Sequence, residues 1–148
     1  MSTRRRVVRA TPQQVWDVLS DGWLYPVWVV GASRMREVDD AWPAVGSKLH
    51  HSVGVWPALI DDNTEVLEAS PPSHLLLRAR GWPIGEANVD LRIEAHAEGC
   101  EVTITEDAVA GPGKLMPKPL RDVQIGVRNI ETLQRLAYIA ENRADAVR

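Results

Sequence analysis

Two side chains in this sequence stand where chemistry is possible: His51 and Glu106. Each interrupts a face of alternating residues that is otherwise apolar or small, His51 between Leu49 and Val53, Glu106 between Ile104 and Ala108. Period-two alternation puts such residues on one side of a strand. An imidazole and a carboxylate facing one apolar interior have the makings of an acid–base pair, suited to an aldol-type cyclisation or a dehydration. A structural role competes with this one. A carboxylate taken out of water must be paired or hydrogen-bonded, and Glu106 has a candidate partner in Arg128 or in a tryptophan N–H, leaving His51 as a satisfied core residue. The sequence leaves both readings open. His50 and His51 are adjacent and so face opposite sides of a strand, which makes them a poor metal pair. His74 and His96 read as solvent-facing. There is no Gly-rich phosphate loop, nucleophile elbow or nucleotide motif, so neither a cofactor nor a metal is expected.

The elements that would hold these residues follow from the hydrophobic pattern. A short first strand at 3–10 is followed by Thr11-Pro12-Gln13-Gln14, a capping-box pattern that opens a helix carrying Val15, Trp16, Val18 and Leu19. Ser20-Asp21-Gly22 breaks it, and Asp21 can cap a second short helix with Trp23, Leu24, Val27 and Trp28, kept irregular by Pro26. From residue 32 the period changes to two. Strands are expected at 32–39, 47–55, 63–69, 75–81, 87–96 and 101–109, separated by turns rich in glycine and proline. Residues 119–142 then read as one long amphipathic helix, with a stripe through Val123, Gly126, Ile130, Leu133, Ala137 and Ala140. Gly126 lies mid-stripe, where glycine costs about 1 kcal/mol relative to alanine. Its missing side chain suggests a helix laid across a hollow. An antiparallel meander must bury one face, and this helix is the only large apolar surface available to cover it. Alternate turns then gather at one end: those at Trp56-Pro57 and Trp82-Pro83 and the segment 109–118, with Trp42-Pro43 at the other.

Composition narrows the function. At 148 residues the chain is expected to form one domain, 1–148, with a net charge of -3 that gives no reason to expect nucleic acid. The single Cys100 excludes an internal disulfide and suits a reducing compartment. No apolar run approaches the roughly 20 residues of a membrane span, and no signal peptide is visible, so a cytoplasmic location without membrane insertion is expected. The chain has six tryptophans and no phenylalanine. The oligomeric state is not legible.

The element order, the opening TPQQVWDVLSD, the glycine at 46 and the terminal amphipathic helix together resemble the helix-grip superfamily, also called Bet v 1-like, START-like or SRPBCC. Within it the chain is most similar to the polyketide cyclase/dehydrase-like subgroup, with HHSVGVWP, GWPIGEA and TEDAVAGPG as further marks. The resemblance covers nearly the whole chain. It implies an α+β helix-grip fold: a seven-stranded antiparallel sheet wrapped around the long C-terminal helix, with two short helices after the first strand and an internal apolar cavity. It carries no universal catalytic motif.

That cavity is expected to take a hydrophobic small molecule, lipid- or polyketide-like. Trp23, Trp28, Trp56 and Trp82 are expected to line it or its mouth, since an indole offers apolar area and one donor. From the strands come Leu49, Val53, Leu77, Val89, Leu91 and Ile104, and from the segment before the helix Met116. The helix is expected to contribute Val123, Gly126, Val127 and Ile130. The alternatives are a polyketide cyclase or dehydratase using His51 and Glu106 as acid and base, and a protein-interaction module without a ligand.

Overall fold

A computed structural model describes residues 1–30, 32–53, 60–81 and 85–147. Strand β1 (Ser2–Val8) leads into helix α1 (Pro12–Ser20), a single 3-10 turn and the one-turn helix α2 (Tyr25–Trp28). Strands β2 (Ala32–Val38), β3 (Lys48–Val53), β4 (Ile60–Ser70), β5 (His74–Gly81), β6 (Gly85–His96) and β7 (Gly99–Ala110) follow, and then the long helix α3 (Lys118–Val147). The strands form one seven-stranded antiparallel sheet in the order β1-β7-β6-β5-β4-β3-β2. Five successive hairpins and a first strand that crosses over to the last make this order, and α3 lies against the inner face. This is the helix-grip fold.

Local chemistry sets the early boundaries. The hydroxyl of Thr11 accepts from Gln14 N–H at 3.1 Å, and the Gln14 side-chain oxygen accepts from Thr11 N–H at 2.9 Å, so the capping box is complete. Asp21 caps the turn that follows by accepting from Trp23 N–H at 3.2 Å. Trp42 Nε1 donates to the Leu19 carbonyl at 3.1 Å, tying the β2–β3 connection to the end of α1.

Register fixes what faces inward. Cross-strand neighbours share a face, and the inner face is built in rows. One row runs Leu75, Leu91, Ile104, all buried, and ends at Arg4. The next runs Val66, Leu77, Val89, Glu106, Ser2. The third runs Leu49, Thr64, Ala79, Ala87, Ala108. The first row packs under Val15, Trp16, Val18 and Leu19 of α1 and under Leu133, Leu136, Ala137, Ala140 and Ala144 of α3 to make the core. Each fully buried leucine there stabilises the fold by about 1.5–3 kcal/mol. Cys100 is fully buried opposite Val8, and burial pushes its thiol up to about 11.

The stripe assigned to the last helix needs correction in its first half. From Leu133 onward the buried positions fall where the periodicity puts them. Before that, Val123 and Ile130 are exposed, at 60% and 43%, and the inward positions are Ile125, Asn129 and Thr132. Gly126 is buried, but not over a hollow. A Cβ there would meet the Arg4 guanidinium at 2.7 Å and the Ser2 hydroxyl at 3.0 Å, so the glycine lets β1 side chains lie on the helix backbone. The Trp56-Pro57 and Trp82-Pro83 turns lie outside the described residues.

Candidate functional site

The third row explains a void. Three alanines in register, Ala79, Ala87 and Ala108, occupy the inner face where the other rows carry leucine, valine, isoleucine or, at one position, Glu106. Opposite them α3 presents Arg121, Ile125, Asn129 and Thr132, and the space left between is a cavity of about 430 Å³. That volume lies within the ~300–1,000 Å³ range of small-molecule sites. Leu77, Val89 and Ile104 form the apolar floor, and Trp28, Val29 and Val30 close one side. Arg80, Met116 and Gln124, the last exposed on α3, also line the cavity.

One flank of the wall is a connected polar cluster. The Thr64 hydroxyl is 2.8 Å from His51 Nε2 and 3.1 Å from the Tyr25 hydroxyl. The Tyr25 and His51 rings stack at 5.6 Å, and Trp28 meets Tyr25 edge-on at 5.4 Å. Burial pushes the Tyr25 phenol up to about 12; its bond to Thr64 and the Arg128 charge act against this, and the Glu106 charge adds to it. Burial also holds His51 below its ordinary value, assisted by Arg36 and His50 and opposed by Asp62. The His51 ring is therefore neutral near pH 7. With one ring nitrogen engaged by Thr64, its Nδ1 has no partner among the described residues.

Glu106 is different. Its carboxylate is ion-paired with Arg128 of α3, at a site where Glu106 is buried and Arg128 half-exposed. His51 and Glu106 both stand in the cavity wall, but they are not a free acid–base pair. The carboxylate is held by the guanidinium, which is the structural role the sequence left open. His74, expected at the solvent, is mostly buried, its side chain 14% exposed, and is bonded to Asp90 at 3.1 Å on the outer face.

The expected lining residues divide. Trp28, Leu77, Val89, Ile104 and Met116 are in the wall. Leu49 and Leu91 are fully buried in the packed core beside it. Trp23 is 57% exposed, because the turn that carries it puts Tyr25 inward instead. Val123, Val127 and Ile130 lie on the outward flank of α3, and Gly126 faces β1. Trp56, Trp82 and the side chain of Val53 are outside the described residues. Tyr25, Thr64, Asn129 and the alanine row were not anticipated. The alanines were visible as small residues at alternate positions of three strands, but only the pairing register brings them side by side.

Four buried side-chain nitrogens lack a hydrogen-bond partner among the described residues: Trp28 Nε1, His51 Nδ1, Arg121 Nε and Asn129 Nδ2. All four belong to residues of this one wall. Among the described residues no group of three histidine, cysteine, aspartate or glutamate side chains is placed to hold a metal, and no helix is long and apolar enough to cross a membrane.

Residues 2–136 match the family described as polyketide cyclase/dehydrase and lipid transport. The chain belongs to this family. The family's fold recurs in solved structures of low identity. A Nitrosomonas europaea protein superimposes with a TM-score of 0.71 at 16% identity, covering 95% of this chain and 94% of that one. The di-domain ARO/CYC StfQ of the steffimycin biosynthetic pathway gives 0.73 at 11% identity, covering 97% of this chain and 51% of StfQ. Ara h 8.0201 gives 0.70 at 8% identity, with 93% and 95% covered. Among curated proteins nothing matches. At such identities the likeness of this member of the polyketide cyclase/dehydrase and lipid transport family to these structures is one of fold alone.

Proposed function

We propose that this protein binds a hydrophobic small molecule, lipid- or polyketide-like, between the sheet and α3. The observation that carries the reading is the alanine row. Leucine or valine at 79, 87 and 108 would close the space and add core, at a gain of about 1–2 kcal/mol for each apolar side chain buried. Instead the row is kept small beneath a helix whose inward face turns polar. The unpartnered nitrogens in the same wall support the reading, because buried polar groups are ordinarily satisfied in the working state of a protein. The family description and StfQ's place in a biosynthetic pathway point the same way. The lone reduced cysteine fits a cytoplasmic setting.

The test is native mass spectrometry of protein from its own host, beside the variant Ala87→Trp. The parent should carry an apolar molecule, or bind the probe 8-anilinonaphthalene-1-sulfonate, and the variant should lose both while melting at a similar temperature. A parent that retains nothing and binds no probe overturns the reading.

A second reading, a cyclase or dehydratase, draws on the Tyr25–Thr64–His51 chain. A neutral imidazole with one nitrogen steadied by a hydroxyl is suited to take a proton, and the buried phenol, which keeps its proton, to donate a hydrogen bond to a developing oxyanion. Glu106 has no part in this version. It requires that His51→Gln lower turnover by about 10²–10⁴-fold on a true substrate while leaving ligand retention intact.

A further inference from the structure

A second surface is left unused by any ligand in the cavity. Strand β1 pairs with β7 on one side and is the last strand of the sheet on the other. Among the described residues, no backbone hydrogen bond outside the β1–β7 ladder involves residues 3–7. Alternate amides and carbonyls along this edge therefore face outward unpaired. Arg4, Arg5 and Arg6 run along it in an unbroken triplet, all exposed. Among the described residues none of the three has an ion pair or a side-chain hydrogen bond.

The neighbouring flank of α3 is apolar. Val123, Val127 and Ile130 are 60%, 62% and 43% exposed. At about 100° per residue, Ile130 and Val123 lie within about 60° of Gly126 around the helix axis. Gly126 rests on Ser2 and Arg4, so this stripe looks along the β1 edge. Ile130 and Leu133 share a groove with residues 3–6.

We propose that this groove docks an acidic, extended segment of a partner protein, which adds to β1 as an eighth strand. The edge supplies backbone donors and acceptors, the triplet supplies positive charge, and the stripe receives apolar side chains from the added strand. Arginine on an edge ordinarily guards it against self-association. The same charges select a partner of opposite sign. A second copy of this chain fits poorly, since a two-fold pairing centred on Arg5 sets the triplets against each other, and like charges directly opposed are destabilising. An anionic lipid surface would meet the charge and the stripe but leave the open backbone edge without a partner.

The experiment uses fluorescence anisotropy of a labelled peptide of alternating valine and glutamate, as long as the seven residues of β1, titrated with the full chain. Binding is expected, weakening about tenfold for the triple variant Arg4→Glu, Arg5→Glu, Arg6→Glu, since each opposed charge pair contributes modestly. The double variant Val127→Ser, Ile130→Ser, at exposed positions that leave the core intact, should also weaken it. An N-methylated peptide of the same sequence, which keeps the charge and loses the amide donors, should not bind. The proposal is overturned if the N-methylated peptide, or a valine–lysine peptide, binds as well as the first. It is equally overturned if the chain binds anionic phosphatidylserine vesicles and no peptide, or if it dimerises through this edge.

Discussion

Arg128 of α3 holds the carboxylate of Glu106 on β7, so the helix is clamped to the sheet by an ion pair set in the cavity wall. The clamp is asymmetric. Glu106 is buried, whereas Arg128 is 40% exposed and can be taken up by water. Arg128→Met should therefore cost about 2–4 kcal/mol, because it strands a buried charge. Glu106→Gln should cost about 1 kcal/mol, because the amide still accepts from Arg128. Urea melts of the two variants give the comparison, and equal losses would show that burial does not separate the partners.

The Tyr25–Thr64–His51 cluster predicts a pH dependence. His51 titrates below its ordinary 6.5 in the folded protein. Between that depressed value and 6.5 the unfolded chain binds more protons than the folded one, so stability is full above about 6.5 and falls as the pH falls. The slope from this one group is at most about 1.4 kcal/mol per pH unit. Melts of parent and His51→Gln at pH 7.5 and 5.5 should differ at the lower pH in the variant's favour. A parallel fall in both would assign the acid sensitivity elsewhere.

Thr64→Val should be costly for its size. It removes the one hydroxyl that serves both His51 and Tyr25 and leaves two buried polar groups unpaired, at about 1–3 kcal/mol each. Thr64→Ser should restore most of the loss, which denaturant midpoints would show.

The helix stripe gives a contrasting pair. Ile130→Asp, at an exposed position, should change stability by less than about 1 kcal/mol. Leu136→Asp, at a fully buried one, should unfold a domain of ordinary stability. Ile130→Asp melting far below the parent would return Ile130 to the core.

Gly126→Ala should be neutral or stabilising by up to about 1 kcal/mol, the helix-propensity gain, because the nearest atom in its way is the free end of the exposed Arg4 side chain. Gly126→Leu should push on β1 and lower the melting temperature without weakening 8-anilinonaphthalene-1-sulfonate binding. Probe binding lost without destabilisation would place the glycine at the cavity.

The strands are legible because one face is buried and the period is two, which is why the sequence alone places Leu49, His51, Ile104 and Glu106 inward. The capping box at Thr11 was legible because it is local. The first half of α3 was misread for a physical reason. Periodicity finds the apolar flank of a helix, and here that flank looks outward along β1 while the inward positions, Asn129 and Thr132, are polar because they face a cavity rather than a core. The void was invisible for a related reason. Ala79, Ala87 and Ala108 are unremarkable in three separate strands and become a space only when register aligns them.

Cys100 sits beneath the seam between the first strand and the last, two partners that are far apart along the chain. With its thiol held in the protonated form and out of reach, a disulfide reagent cannot trap it while that seam is closed. The speed of labelling then becomes a clock for how often the crossover strand lets go. It can be read on native protein, with no engineered probe, and it would lengthen when anything that fastens β1 is bound.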